Sequence, residues 1–478
     1  MPTTDRVSGR RSRRLRSGDI VHDDRGEALE LVEEIGGGGQ GTVWSLTGGR
    51  AAAKIAKPGS GMAADRLRAR LAAVRRFDLS GVPIAQPLSL LTGDHVGYTM
   101  ELLDAMISLG SLAVPEPDIK EWFIRTGGLA RRLRLLALAA EAFVRLHARG
   151  LAYGDISPGN VLVSADSGHD QVWLIDPDNL SAEVGTGDPA YFTPGYGAPE
   201  LVTGRSGQDS LTDVFSFAVL AFQVLSLAHP FQGDGVYDDP VRLEEAAFAG
   251  RLPWIDHSTD DGNRSRLGLD RSIVLTRGLR ALARRTFEGG LHHPAQRPGM
   301  EEWQDKLEQA ALLMVTCPGC ASSFHGGEDQ CPWCFRERPS ILRCDVRGYL
   351  PAGSVPGTSD ECETGRLRSL LLTGRQAQTV RARTALLHLD RGPADIPVDP
   401  GEPVVRLEWD GRGQLTVQRI GRHSARMVDR TSGRSIPLSS GDIWPFDMSE
   451  TGRWTIHFGP PGEPHRFMEI LQSRRGAR

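Results

Sequence analysis

The sequence runs to 478 residues with ordinary apolar content and a formal net charge of −4, enough chain for two to four domains and no global pull toward nucleic acid or membrane. Its polar, Arg-rich start carries no secretory signal, and its longest apolar run, residues 214–228, is too short to span a bilayer comfortably and is interrupted by Ser216, Gln223 and Ser226. A cytoplasmic protein is expected, whose six cysteines then point to metal before disulfides.

In chain order, residues 1–17 predict a disordered Arg-rich tail. Residues 29–35 are strand-like and run into Gly36, Gly38 and Gly41, a G-x-G-x-x-G pattern with Val43 two residues on. Glycines let a backbone lie close over phosphates. The β-prone Thr42-Val43-Trp44 that follows predicts a hairpin, whereas a dinucleotide fingerprint would open a helix. The next strand, 51–56, carries Lys54. Only Lys54, Lys57, Lys120 and Lys306 are lysines among the 56 basic residues, so an ammonium on a strand departs from the chain's own habit and can meet nucleotide phosphates. Residues 62–76 form an amphipathic helix with Leu67, Leu71 and Val74 on one face. A Pro-rich extended stretch follows at 82–87, then a strand at 96–101. Residues 129–149 are a strong helix, with His147 as a packing residue at its end.

The loop Tyr153-Gly154-Asp155-Ile156-Ser157-Pro158-Gly159-Asn160 comes next. In such a loop an Asp can take the proton of an attacking hydroxyl and an Asn five residues later can hold magnesium; Asp, Gly, Pro and Asn also make ordinary turns. Apolar strands at 161–163 and 172–175 follow, the second ending in Asp176-Pro177-Asp178, where a carboxylate is placed to hold metal. Thr193 stands before Ala198-Pro199-Glu200, a buried helix spans 213–227, and Gln296-Arg297-Pro298 precedes a helix at 300–313.

Over roughly residues 20–314 these motifs, in this order, resemble the eukaryotic-type protein kinases of bacteria, in the subgroup with G-D-x-[SN] loops. The resemblance implies ATP and Mg2+ (or Mn2+) as cofactors. Gly36, Gly38, Gly41 and Val43 would cover the nucleotide, and Lys54 would pair with its phosphates. Met100 would be the gatekeeper and Glu101 to Leu103 the adenine hinge. Asp155 would be the catalytic Asp, Asn160 and Asp176 the magnesium ligands, and Thr193 the hydroxyl bonded to the catalytic Asp. Glu200 would pair with Arg297, and Asp213 would be the buried Asp of the long helix. Members of this subgroup act beside protein phosphatases and other signalling partners.

Four departures accompany the match. Gly154 replaces the Arg of H-R-D, which removes the partner of a phosphorylated activation segment. Ser157 replaces a Lys near the γ-phosphate. Asp-Pro-Asp replaces D-F-G. The helix at 62–76 offers no Glu to Lys54; Asp65 is its only acid.

Cys317, Cys320, Cys331 and Cys334 form two C-P-x-C knuckles, the pattern of a structural four-cysteine zinc ribbon with no position left for a catalytic water. Four sulfurs complete the shell, which makes His325 between them a loop residue. Cys344 and Cys362 read as plain core or surface thiols. Beyond a Pro/Gly/Ser-rich stretch at 351–359, strands at 404–409, 415–418, 424–428 and 454–458 predict a β-sandwich. Residues 438–444 faintly resemble the end of forkhead-associated domains, which bind phosphothreonine, but Gly421-Arg422-His423-Ser424 only partly matches the upstream pattern of that family; a generic interaction domain is expected, with phosphopeptide binding as the alternative. The α+β fold expected is a bilobal kinase with an N-lobe at 18–103 and a C-lobe at 104–315, then a zinc ribbon at 316–338 and a β-rich interaction domain at 339–478. The function expected is transfer of the ATP γ-phosphoryl to Ser or Thr of a protein. The alternative is a nucleotide-gated scaffold whose ribbon and β-domain bind partners. Small-molecule phosphotransfer fits less well with the peptide-binding character of 193–200.

Overall fold

The computed structural model describes residues 14–39, 41–57, 61–182, 191–354, 360–374, 377–387, 399–447 and 452–472. Residues 1–13 of the expected tail, Gln40 of the Gly-rich stretch and residues 355–359 of the Pro/Gly/Ser-rich stretch lie outside the described residues. The chain forms two compact units: one from the chain up to Pro115 with Leu135–Leu269 and Arg277–Gln304, the other from Glu116–Arg134, Asp270–Thr276 and the chain from Asp305 on.

The first unit begins with an antiparallel six-stranded sheet ordered Ile20–His22, Ala28–Gly37, Gly41–Leu46, Ala51–Ala56, Gly97–Glu101, Ser89–Leu90. Alternation along Ala51–Ala56 sends Ala53 and Ile55 into one apolar cluster with Trp44 and Leu46. Ala52 goes into the opposite cluster with Tyr98, Met100 and Leu71, and by the period of two Lys54 shares the Ala52 face. Leu71 belongs to the helix Gly61–Val74, so Lys54 points to the side of the sheet that this helix covers.

The helical part of the unit is built on Ser210–Ser226. Asp209 starts that helix with a capping box: its carboxylate accepts the Thr212 N–H at 2.8 Å and its own N–H donates to Thr212 Oγ1 at 2.9 Å. The apolar run read from the sequence lies inside this helix from Val214 to Ser226, where it is buried nearly throughout, and ends two residues past it. Among the described residues no helix is long and apolar enough to cross a membrane. Two small antiparallel sheets position the loops that matter. Val172–Leu174, Val161–Ser164 and Met106–Ser108 form one, and Ser181–Ala182 pairs with Leu151–Ala152 in the other. They bracket the loop 153–160 and the turn that begins at Asp176.

In the second unit the hairpin Met314–Thr316/Ser323–His325 precedes two larger sheets, of seven and four strands. His325 thus ends a strand instead of lying in a loop, because its backbone pairs with Met314. Leu342, Cys344, Leu370, Met468 and Ile470 of the larger sheet share one core with Val405, Leu407, Leu415 and Val417 of the smaller. The strands expected near 404–409, 415–418, 424–428 and 454–458 are Pro403–Trp409, Gln414–Arg419, Ala425–Asp429 and Trp454–His457. Ile341–Leu350, Cys362–Glu363, Arg368–Thr373, Ser435–Leu438 and His465–Gln472 complete the larger sheet, strands that the sequence reading did not include. Cys344 is buried in this core and Cys362 is exposed.

Candidate active site

The loop after Leu151–Ala152 is held from below by one carboxylate. Asp213 Oδ2 accepts the Tyr153 N–H at 2.7 Å and Oδ1 accepts the Gly154 N–H at 2.9 Å. His147 Nε2 lies 3.0 Å from the same Oδ2. His147, read from the sequence as a packing residue, therefore orients the carboxylate that fixes the loop. The buried Tyr153 hydroxyl donates to the Ile175 carbonyl, which ties the loop to the strand leading into Asp176. Burial, then the nearby Asp176 and Asp155 carboxylates, push its pKa well up.

Asp155 is nearly buried and its oxygens are fully directed. Oδ1 accepts the Thr193 N–H at 2.7 Å and the Thr193 hydroxyl at 2.8 Å. Oδ2 accepts from Asn160 Nδ2 at 3.1 Å, and the same amide also donates to the Asp155 carbonyl at 2.9 Å. With its amide nitrogen turned to Asp155, Asn160 presents its oxygen elsewhere.

Asp176 adopts the left-handed conformation, φ 57° and ψ 55°, before the short turn Pro177–Asn179. An Asp tolerates this at modest cost because its short polar side chain can bond locally. The turn brings two acids to one cation: Lys54 Nζ is 2.9 Å from Asp176 Oδ1, 3.1 Å from Asp178 Oδ1 and 3.4 Å from Asp178 Oδ2. Burial works against the Lys54 ammonium, but the Asp178 and Asp176 charges outweigh it and raise its pKa. Burial likewise raises the Asp176 pKa, against the pull of Lys54 and with a further push from Asp178. The acid missing from the helix is thus supplied by the third residue of Asp-Pro-Asp. Asp65 is exposed and pairs with Arg68 at 3.3 Å. The available signal for Asp178 was a second acid where D-F-G has glycine.

Across the sheet, Val43 is the register partner of both Gly36 and Lys54. Val43, Met100, Leu103 and Ile175 belong to one apolar cluster, Met100 as a buried member. Glu101, at the strand end opposite Ala51, is exposed. Of the three patterned glycines, Gly41 is demanded by packing: a Cβ there would lie 2.3 Å from the Ile55 carbonyl oxygen. A Cβ at Gly38 would meet nothing within 4 Å, and one at Gly36 only ordinary contact with Val43.

Glu200 and Arg297 form a bidentate pair at 2.7 and 2.9 Å, with Arg297 also donating to the Leu211 and Gly290 carbonyls. Removing one partner of so buried a pair typically costs about 3–5 kcal/mol. It fastens the Pro199–Val202 helix to the rest of the first unit.

In the second unit, the sulfurs of Cys317, Cys320, Cys331 and Cys334 all lie within 4.8 Å of one another. The closest pairs, 3.4 and 3.6 Å apart, are far beyond the ~2.05 Å of a disulfide. Burial opposes the Cys317 thiolate, but the Cys320 and Gly319 N–H groups outweigh it and bring the pKa down to about 7. A compact tetrad with backbone donors aimed at sulfur suits a tetrahedral ion. The Trp333 ring of the second knuckle packs 5.5 Å from that of Phe123, and Ser323 Oγ accepts the Ala130 N–H at 2.9 Å.

Residues 131–261 match the family described as the protein kinase domain. The match takes in Asp155, Asn160, Asp176, Thr193, Glu200 and Asp213; Lys54 and Arg297 lie outside it and reach those residues only in the fold. The serine/threonine-protein kinase PkaA of Streptomyces coelicolor is 28% identical over 220 residues, 44% of this chain and 40% of the relative. The serine/threonine-protein kinase pkn2 of Myxococcus xanthus is 31% identical over 152 residues, 30% of this chain and 17% of the relative. The DNA damage-responsive serine/threonine-protein kinase RqkA of Deinococcus radiodurans is 31% identical over 146 residues, 27% and 22% of the two chains. The matches thus span less than half the length of these curated relatives. The chain carries a protein kinase domain, and bacterial serine/threonine kinases are among its relatives.

Proposed function

We propose that this chain is a divergent protein serine/threonine kinase that transfers the γ-phosphoryl of ATP to a protein hydroxyl. The observation that carries the reading is the convergence on Asp155 of the Thr193 hydroxyl and the Asn160 amide. A carboxylate oriented on both sides is equipped to align an acceptor hydroxyl and take its proton. Asn160 Oδ1 and the Asp176 carboxylate would hold magnesium or manganese, which when bound neutralises charge on the phosphates. Lys54 would meet the phosphates under the Gly36–Gly41 hairpin. The open space over Gly38 fits that role, since the fold itself has no need of a glycine there. Met100, Glu101 and Leu103 would border the adenine, with Val43 over it. Protein substrates follow from this reading, and a partner phosphatase from the subgroup resemblance; a cytoplasmic setting remains part of the proposal.

The second reading, a nucleotide-gated scaffold, is favoured by the engagement of Lys54 with two carboxylates and by the absence of a Lys at Ser157. The two separate in one experiment. The full chain is incubated with radiolabelled ATP, magnesium or manganese and a protein acceptor, beside a thermal-shift titration with ATP. Transfer to Ser or Thr is the expected result; stabilisation by ATP without any transfer establishes the scaffold.

The four cysteines would hold one structural Zn2+. Elemental analysis of purified protein is expected to give one zinc per chain, lost when Cys331 and Cys334 are both replaced by Ser. Metal-free wild-type protein with unchanged thermal stability would remove zinc from the account.

A further inference from the structure

Gly154 stands at the Arg position of the H-R-D pattern, and the space beside it is filled. Gly154 has φ +88°, and a Cβ built on it would lie 2.4 Å from Gln208 Oε1 and 2.7 Å from Gln208 Cδ. The Gln208 carboxamide therefore lies directly against the loop backbone. Its nitrogen donates to the Asn179 carbonyl at 2.6 Å and to Ser181 Oγ at 2.7 Å. A carbonyl can only accept, so the bond to Asn179 fixes which end of the amide is the nitrogen. Asn179 closes the turn that begins at Asp176, and Ser181 pairs with Ala152 just before the loop. Gln208 immediately precedes Asp209, the cap of the long helix.

We propose that Gln208 is a positioning residue: an uncharged clasp that holds the Asp176–Asn179 turn against the Asp155 loop, so that the site is assembled without a phosphate on the activation segment. The inference rests on Asp155 and Asp176 forming the phosphotransfer centre. A charged lock closes only when its counter-charge arrives. The amide clasp has no titratable member and is closed in the unmodified chain. Its loss would loosen Asp176 relative to Asp155, and misplacement of such groups is felt in the chemical step more than in nucleotide binding.

The decisive variant is Gln208→Glu, which keeps size and shape but puts an acceptor against the Asn179 carbonyl. It is expected to lower kcat about tenfold with KM for ATP changed less than about twofold, while Gln208→Asn gives an intermediate loss. Wild-type protein treated with a phosphatase and repurified is expected to keep its rate. Hydrogen exchange in the peptide covering 176–182 is expected to speed up in Gln208→Glu, a readout that needs no turnover. Wild-type kcat and unchanged exchange in Gln208→Glu would overturn the clasp, as would loss of wild-type activity on dephosphorylation. If the wild type transfers no phosphate under any condition, the kinase reading fails by itself, and the exchange comparison still decides whether Gln208 holds the turn.

Discussion

Replacing Asp155 by Asn is expected to cut phosphate transfer by about a thousandfold while ATP still binds and the protein still melts cooperatively. The substitution is isosteric, so the buried pocket stays filled. Its chemical effect is specific. The carboxylate accepts two bonds from Thr193 at one oxygen and one from Asn160 at the other. An amide can keep the Thr193 contacts through its oxygen, but its nitrogen would then face the Asn160 amide nitrogen, donor against donor. The variant thus loses the proton acceptor and also disturbs Asn160, a proposed metal ligand. The measurement is single-turnover transfer from radiolabelled ATP, with a thermal-shift titration to show that nucleotide binding survives. Transfer by the variant within tenfold of wild type would remove Asp155 from the centre.

The parts of this site legible in the sequence are those whose chemistry is local. Asp155 and Asn160 share one loop, Gly36 to Gly41 one hairpin, and the cysteine knuckles announce themselves by spacing. The capped helix Ser210–Ser226 was visible as an apolar run because burial on all sides leaves a continuous signal. Contacts between distant segments were less legible. Gln208 is an unremarked polar residue in a loop, and only the fold lays it on Gly154 and beside Asn179. His147 sits on an apolar stripe, a pattern that reads as packing, yet Asp213 lies within reach at the end of that helix. Residues 116–134 group with the cysteine knuckles, through contacts such as Phe123 with Trp333 that no local pattern encodes. The larger sheet of the second unit draws on Ile341–Leu350 and His465–Gln472, whose pairing joins segments more than a hundred residues apart. Strands of that kind are specified by their partner as much as by their own pattern.

The partner of Lys54 shows the same limit with a functional consequence. The only helix acid is Asp65, which the structure leaves exposed on Arg68, whereas Asp178 is buried and bonded to Lys54 through both oxygens. The turn that also carries Asp176 thus supplies the carboxylates that hold Lys54. In the proposed kinase the metal would draw on Asp176, and Asp178 would be the carboxylate left to hold the ammonium. Asp178→Asn is therefore expected to lower kcat/KM for ATP about a hundredfold, roughly 2.7 kcal/mol, and Asp65→Asn to leave it unchanged. In a Lys54→Met background the Asp178→Asn change should cost less than about threefold, because the two side chains act as one unit. Losses that simply multiply in the double variant would mean that the pair is not coupled in catalysis. A strong effect of Asp65→Asn would return the role to the helix.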